Sequence, residues 1–119
     1  MTTPSPAGRH LIAELERCSA LPDEAGMRQL LTRAAEAGKS TLLSVHLHHF
    51  GESGGVAGVA LLAESHISVH TWPEYGYAAV DVFMCGKDAA PDRALEVLIE
   101  GLGAAHVRRT ALSRNPTGG

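Results

Sequence analysis

The chain has 119 residues, with ten Lys and Arg against 13 Asp and Glu and a net charge of −3 when His is neutral. That length suits one domain with a small core, and the charge balance lacks the basic excess of a nucleic-acid binder. Cys18 and Cys85 cannot make a disulfide framework or a zinc site, no apolar run is long enough to cross a membrane, and Met1 to Gly8 is too polar for a secretory signal. A soluble, cytoplasmic protein with reduced thiols is expected.

Residues 1–7 read as a flexible tail. His10 to Leu15 alternates loosely and predicts a first strand. Leu21-Pro22-Asp23 is a loop whose Asp23 can cap a helix. From Glu24 to Ala37, Met27, Leu30, Leu31 and Ala34 fall at i, i+3, i+4 and i+7, one face of a helix that Gly38 is placed to end. Ser40 to Phe50 predicts a strand with Thr41, Leu43, Val45 and Leu47 on one face and Leu42, Ser44, His46, His48 and Phe50 on the other. Gly51 to Gly55 is a loop.

Val56 to Ala63 is continuously apolar, as in a strand buried on both faces. It runs into Glu64-Ser65, a strand end or tight connection. The next strand sets Ile67, Val69 and Thr71 on one face and His66, Ser68 and His70 on the other. Pro73-Glu74-Tyr75-Gly76 is a turn, and a strand from Tyr77 to Cys85 completes a hairpin that gathers hydroxyl, imidazole and thiol near one sheet surface. After a loop, Pro91 suits the first turn of a second helix with Leu95, Leu98, Ile99 and Leu102 on its apolar side, weakened at its end by Gly101 and Gly103. His106 to Ser113 predicts a last strand, and 114–119 a flexible end.

The order β-α-β-β-β-β-α-β predicts an α+β fold, a two-layer sandwich of a mostly antiparallel sheet with two helices on one face. No third helix is available for the other face. A second subunit is the expected cover.

From Ala63 to Gly86 the chain reads Ala-Glu-Ser-His-Ile-Ser-Val-His-Thr-Trp-Pro-Glu-Tyr-Gly-Tyr-Ala-Ala-Val-Asp-Val-Phe-Met-Cys-Gly. Together with Gly8-Arg9-His10-Leu11 and with Pro91 following Cys85-Gly86, this resembles the signature of the small prokaryotic S-adenosylmethionine decarboxylase proenzymes, the pyruvoyl-dependent family of polyamine synthesis, over residues 8 to 113. The resemblance implies that the bond between Glu64 and Ser65 breaks itself. The Ser65 hydroxyl attacks the Glu64 carbonyl to give an ester, β-elimination leaves dehydroalanine, and hydrolysis yields ammonia and a pyruvoyl group at position 65, with chains 1–64 and 65–119. A ketone can form a Schiff base with the substrate amine and take up the electrons left by decarboxylation, as no side chain can.

By the same resemblance His70 is the base of the elimination and Cys85 the proton donor to Cα. Glu74 holds ribose hydroxyls and Phe50 stacks on adenine beside the sulfonium. A homodimer acting on S-adenosylmethionine, on the route to spermidine, is implied. No metal is: His66 and His70 could pair as ligands but lack a certain third, and His46, His48 and His49 read as a polar strand face. Cys18 reads as a packing residue.

The family typically carries Gly-Val-Ser-Gly-Val before the cleavage site, its Ser assisting processing, where this chain has Gly55-Val56-Ala57-Gly58-Val59. Ser53, in the preceding loop, is a substitute hydroxyl to consider. Two alternatives stay open: a pyruvoyl-dependent arginine or ornithine decarboxylase, and an unprocessed pseudoenzyme.

Overall fold

The computed structural model describes residues 7–52 and 54–116. Residues 1–6 of the tail expected at 1–7, Ser53 and residues 117–119 of the expected flexible end lie outside the described residues. Strand β1 (Gly8–Glu16) is followed by helix α1 (Glu24–Ala37), strands β2 (Leu42–Phe50), β3 (Gly55–Leu62) and β4 (Ser65–Trp72), a 3-10 turn at Pro73–Tyr75, strand β5 (Tyr77–Cys85), helix α2 (Pro91–Leu102) and strand β6 (His106–Arg114). The strands form one six-stranded sheet in the order β2-β3-β4-β5-β1-β6. Every neighbouring pair is antiparallel. The α+β, mostly antiparallel expectation therefore holds. Arg114, assigned to a flexible end, instead closes β6 opposite Gly8.

Both helices pack on one sheet face. Alternate strand residues supply that side of the core: Leu11, Ala13 and Leu15 from β1, Val56, Ala60 and Leu62 from β3, Ile67 and Val69 from β4, and Val80, Val82 and Met84 from β5. Leu30, Leu31, Leu95 and Leu98 answer from the helices. Asp23 caps α1, its Oδ1 accepting from the Gly26 N–H at 2.9 Å. Gly101 does more than weaken α2. A Cβ there would stand 2.2 Å from Leu30 Cδ1, so its missing side chain is what lets the two helices approach.

Two face assignments change. A register shift between Leu42 and Ser44 turns Leu43 outward, 65% exposed, and brings Leu42 to the core with Val45 and Leu47. An extra residue in a strand reverses the alternation beyond it. Strand β3 is not buried on both faces: Ala57, Gly58 and Val59 are half-buried and Leu61 is 43% exposed. Among the described residues no element lies over that side of the sheet, so an apolar run there reads as buried while half of it stays open.

Candidate active site

The candidate residues fall into two groups at opposite ends of the strands. At one end, β3 turns into β4 through Ala63 and Glu64. Leu62 pairs with Ser65, so the connection is a two-residue hairpin loop. Glu64 has φ +60°, a left-handed conformation that costs a residue with a Cβ about 1–2 kcal/mol. The expected tight connection is real, and the Glu64–Ser65 peptide follows a residue in this strained conformation.

Ser65 is 7% exposed, one of two buried polar residues among those described. Its Oγ accepts the Cys85 N–H at 3.2 Å. Burial pushes the Cys85 thiol above its ordinary pKa, and the Glu64 carboxylate adds to the rise. Glu64, Ser65 and Cys85 are thus brought together. Ser65 shares the alternation of Ile67 and Val69, however, and does not lie on the His66, Ser68, His70 face.

At the other end are His70, Phe50 and Glu74. Phe50 of β2 stacks on His70 of β4 at 5.4 Å between centroids, across the intervening β3. The reach is possible because β3 presents Gly55 and Ala57 there, residues with no side chain or only a methyl group. His70 stacks on Trp72 at 3.7 Å, and Trp72 on Tyr77 at 5.1 Å. Glu74 is exposed on the 3-10 turn beside them.

His70 lies five residues along β4 from Ser65, about 16 Å at ~3.3 Å per residue. The expected gathering of hydroxyl, imidazole and thiol therefore does not occur within one chain: an extended strand separates what a helix would have brought close. The same spacing parts His66 from His70 as metal ligands. Ala57 is the register partner of His70, so the hydroxyl usual at this position would stand beside the imidazole.

Between the two ends runs a polar network to which sequence reasoning gave no role. Arg114 can only donate, so the His10 Nδ1 it meets at 3.1 Å accepts. The His10 proton is then on Nε2, which donates to Asp81 Oδ2 at 2.6 Å. Ser68 donates to the other Asp81 oxygen, and His66 Nε2 stands 3.8 Å from the carboxylate. His10, His66 and Asp81 are close enough together to hold an ion, but this tautomer commits the one ring lone pair of His10, on Nδ1, to Arg114 and puts a proton on Nε2. Tyr77 donates to Glu14, and that carboxylate raises the phenol pKa. The signal that could have found this network is alternation: His10 and Glu14, like Asp81 and Tyr77, sit at even spacing on their strands.

The fold has a counterpart among solved structures. The crystal structure of the adenosylmethionine decarboxylase from Aquifex aeolicus VF5 is similar with a TM-score of 0.84 and 34% identity, over 93% of this chain and 92% of that one. The chain thus shares the fold of an adenosylmethionine decarboxylase. The family model for S-adenosylmethionine decarboxylase matches residues 9–115, and the chain belongs to that family.

Among curated relatives, the S-adenosylmethionine decarboxylase proenzyme of Prochlorococcus marinus strain MIT 9313 is 54% identical over 82% of this chain and 78% of its own length. That of Synechococcus sp. strain WH7803 is 51% identical over 92% and 87%. A proenzyme of the same name from Methanococcus vannielii is 52% identical over 71% and 70%.

Proposed function

We propose that this protein is a self-processing, pyruvoyl-dependent decarboxylase of S-adenosylmethionine, active as a homodimer in the cytoplasm and serving spermidine synthesis. One observation carries the reading: a buried serine hydroxyl, positioned by a backbone N–H, directly follows a left-handed glutamate in a two-residue turn. Nucleophile, strained peptide and thiol acid share that place. The names of the relatives support this substrate over arginine or ornithine. The two free thiols suit a reducing compartment.

Position 65 fits the ketone that processing would leave there. It is shielded from water, and the Cys85 N–H already points at the side-chain oxygen. When present, the pyruvoyl group supplies the electron sink for decarboxylation. The chain's own residues do the rest. Ser65 Oγ attacks the Glu64 carbonyl carbon, and the acyl group moves from nitrogen to oxygen. His70 takes the Ser65 Cα proton as the Cβ–O bond breaks and Glu64 leaves as a carboxylate. Cys85 Sγ returns a proton to the substrate Cα after carbon dioxide departs. Phe50 offers a ring for the adenine, and Glu74 an acceptor for ribose hydroxyls.

His70 is too far from Ser65 in its own chain to take that proton. The sheet face joining the two ends is open, with Leu61, Phe83 and Leu112 on it. A two-fold pairing of open faces with reversed strand direction lays the His70 end of each protomer over the Ser65 end of its partner. The test is complementation. Ser65→Ala and His70→Ala chains, each uncleaved alone, are mixed and followed by mass spectrometry. The His70→Ala chain should then split between Glu64 and Ser65, using the imidazole of the other. Cleavage of His70→Ala alone would overturn the assignment of the base, and an intact wild-type chain would overturn the function.

A further inference from the structure

A catalytic imidazole is commonly aimed by a hydrogen bond to its far nitrogen. His10 is held at both ring nitrogens, by Arg114 and Asp81. His70 is different: among the described residues no hydrogen bond or ion pair holds either nitrogen, and rings alone orient it. Residues two apart on a strand share a face. The indole of Trp72 uses that spacing to lie on the imidazole, 3.7 Å between centroids with the planes 16° apart. Phe50 adds a looser stack at 5.4 Å and 19°. Trp72 is held in turn. It stacks on Tyr77, its register partner on β5, and the Tyr77 hydroxyl donates to Glu14 on β1. A support thus runs from β1 through β5 to the base. Contact with the flat of a ring leaves its edge, where both nitrogens lie, open to a partner.

We propose that Trp72 is a positioning residue for self-cleavage: its stack on His70 turns the edge of the imidazole toward Ser65 Cα of the partner chain, in place of the hydrogen bond that would aim another base. The inference rests on the reading of His70 as a base that works across the dimer. Processing needs no substrate, so an effect of Trp72 on the cleavage rate does not come from a lost substrate contact.

The experiment extends the mixture of Ser65→Ala and His70→Ala chains. The first lends the imidazole and the second is cut. Trp72→Leu is placed in one and then in the other, and the appearance of fragments is timed by mass spectrometry. In the lending chain it should slow cleavage by roughly ten- to a hundredfold, the cost of a misaimed reacting group. In the cut chain it should leave the rate unchanged, because that chain's Trp72 stands at the junction where no cleavage occurs. Trp72→Phe in the lending chain keeps a ring and should restore most of the rate. Tyr77→Phe there loses the hydroxyl to Glu14 but keeps the stack, and should slow cleavage less than Trp72→Leu.

Equal slowing from both placements would mark general damage to the fold or to dimer affinity, and overturns the proposal. So does full speed with Trp72→Leu in the lending chain. A parent mixture that does not cleave would overturn the reading of His70 itself, a failure told apart by that control. Should Trp72→Leu lose its thermal transition, nuclear magnetic resonance decides. In the Ser65→Ala protein the ring protons of His70, identified by their loss when His70→Ala is added, should lie upfield under the ring current of the indole. Trp72→Phe should bring them partway back, with a matching loss of rate in the mixture. Ordinary positions in the Trp72 protein overturn the proposal.

Discussion

On the helix-covered side of the sheet, Leu11, Ile67, Val69, Val80 and Val82 are almost wholly buried. One residue along on the same strands, His10, His66, Ser68, Asp81 and Phe83 are half-buried on a face that no described element covers. The first set is interchangeable in kind, aliphatic and close-packed. The second is a collection of acids, imidazoles and rings satisfied by specific partners. Alternation along a strand lets a small protein stabilise itself with one set of residues and react with the other. Burial on the covered side depends on volume, and function on the open side depends on identity.

Mutations can break that division or sharpen it. The largest effect belongs to the turn where the two faces meet. Ser65→Ala should abolish processing, giving one mass near the 12.5 kDa of the whole chain in place of two fragments. Next comes the covered face. Ile67→Ala should cost about 2–5 kcal/mol in denaturant unfolding, while His66→Ala, its neighbour on the open face, should stay within about 1 kcal/mol. Equal losses at the two positions would erase the distinction.

Gly58→Ala sets a Cβ 2.2 Å from Leu47 Cδ2 and 2.5 Å from the His46 carbonyl oxygen. A destabilisation of about 1–3 kcal/mol is expected from thermal melts. The smallest effect on stability, within about 0.5 kcal/mol, is expected for Ala57→Ser. There the change appears in kinetics: a hydroxyl beside His70 should quicken the appearance of fragments in a timed mass spectrum.

Periodicity made most of the architecture readable. Both helices announced themselves through Met27, Leu30, Leu31 and Ala34 and through Leu95, Leu98, Ile99 and Leu102, because packing against a sheet demands an apolar stripe. The β4–β5 hairpin was equally plain. Strand order was not: nothing local in Gly8–Glu16 says that it sits between β5 and β6, since that pairing depends on partners some seventy and a hundred residues away. The inversion at Leu42 and Leu43 was hidden for a related reason, because both are Leu and a register shift leaves no mark in composition.

At the site, the motif pointed to Glu64, Ser65, His70 and Cys85, and the chain does place three of them together. What linear reading could not supply was distance. Five residues of extended chain put His70 at the opposite end from Ser65, and recurrence in one motif says nothing of that. Alternation could place His10, Ser68 and Asp81 on one face of their own strands, but the Arg114–His10–Asp81–Ser68 network joins four strands, and its partners meet only through the sheet register.

The place of β1 has a bearing on what survives a cut at Glu64. The first piece would own β1, β2 and β3, and the second β4, β5 and β6, yet β1 is threaded between β5 and β6. Separation would tear three ladders, β3 from β4, β5 from β1 and β1 from β6. The severed molecule is thus laced shut by its own weave. Its loss of structure becomes a parting of two polypeptides, so its melting temperature should climb with protein concentration.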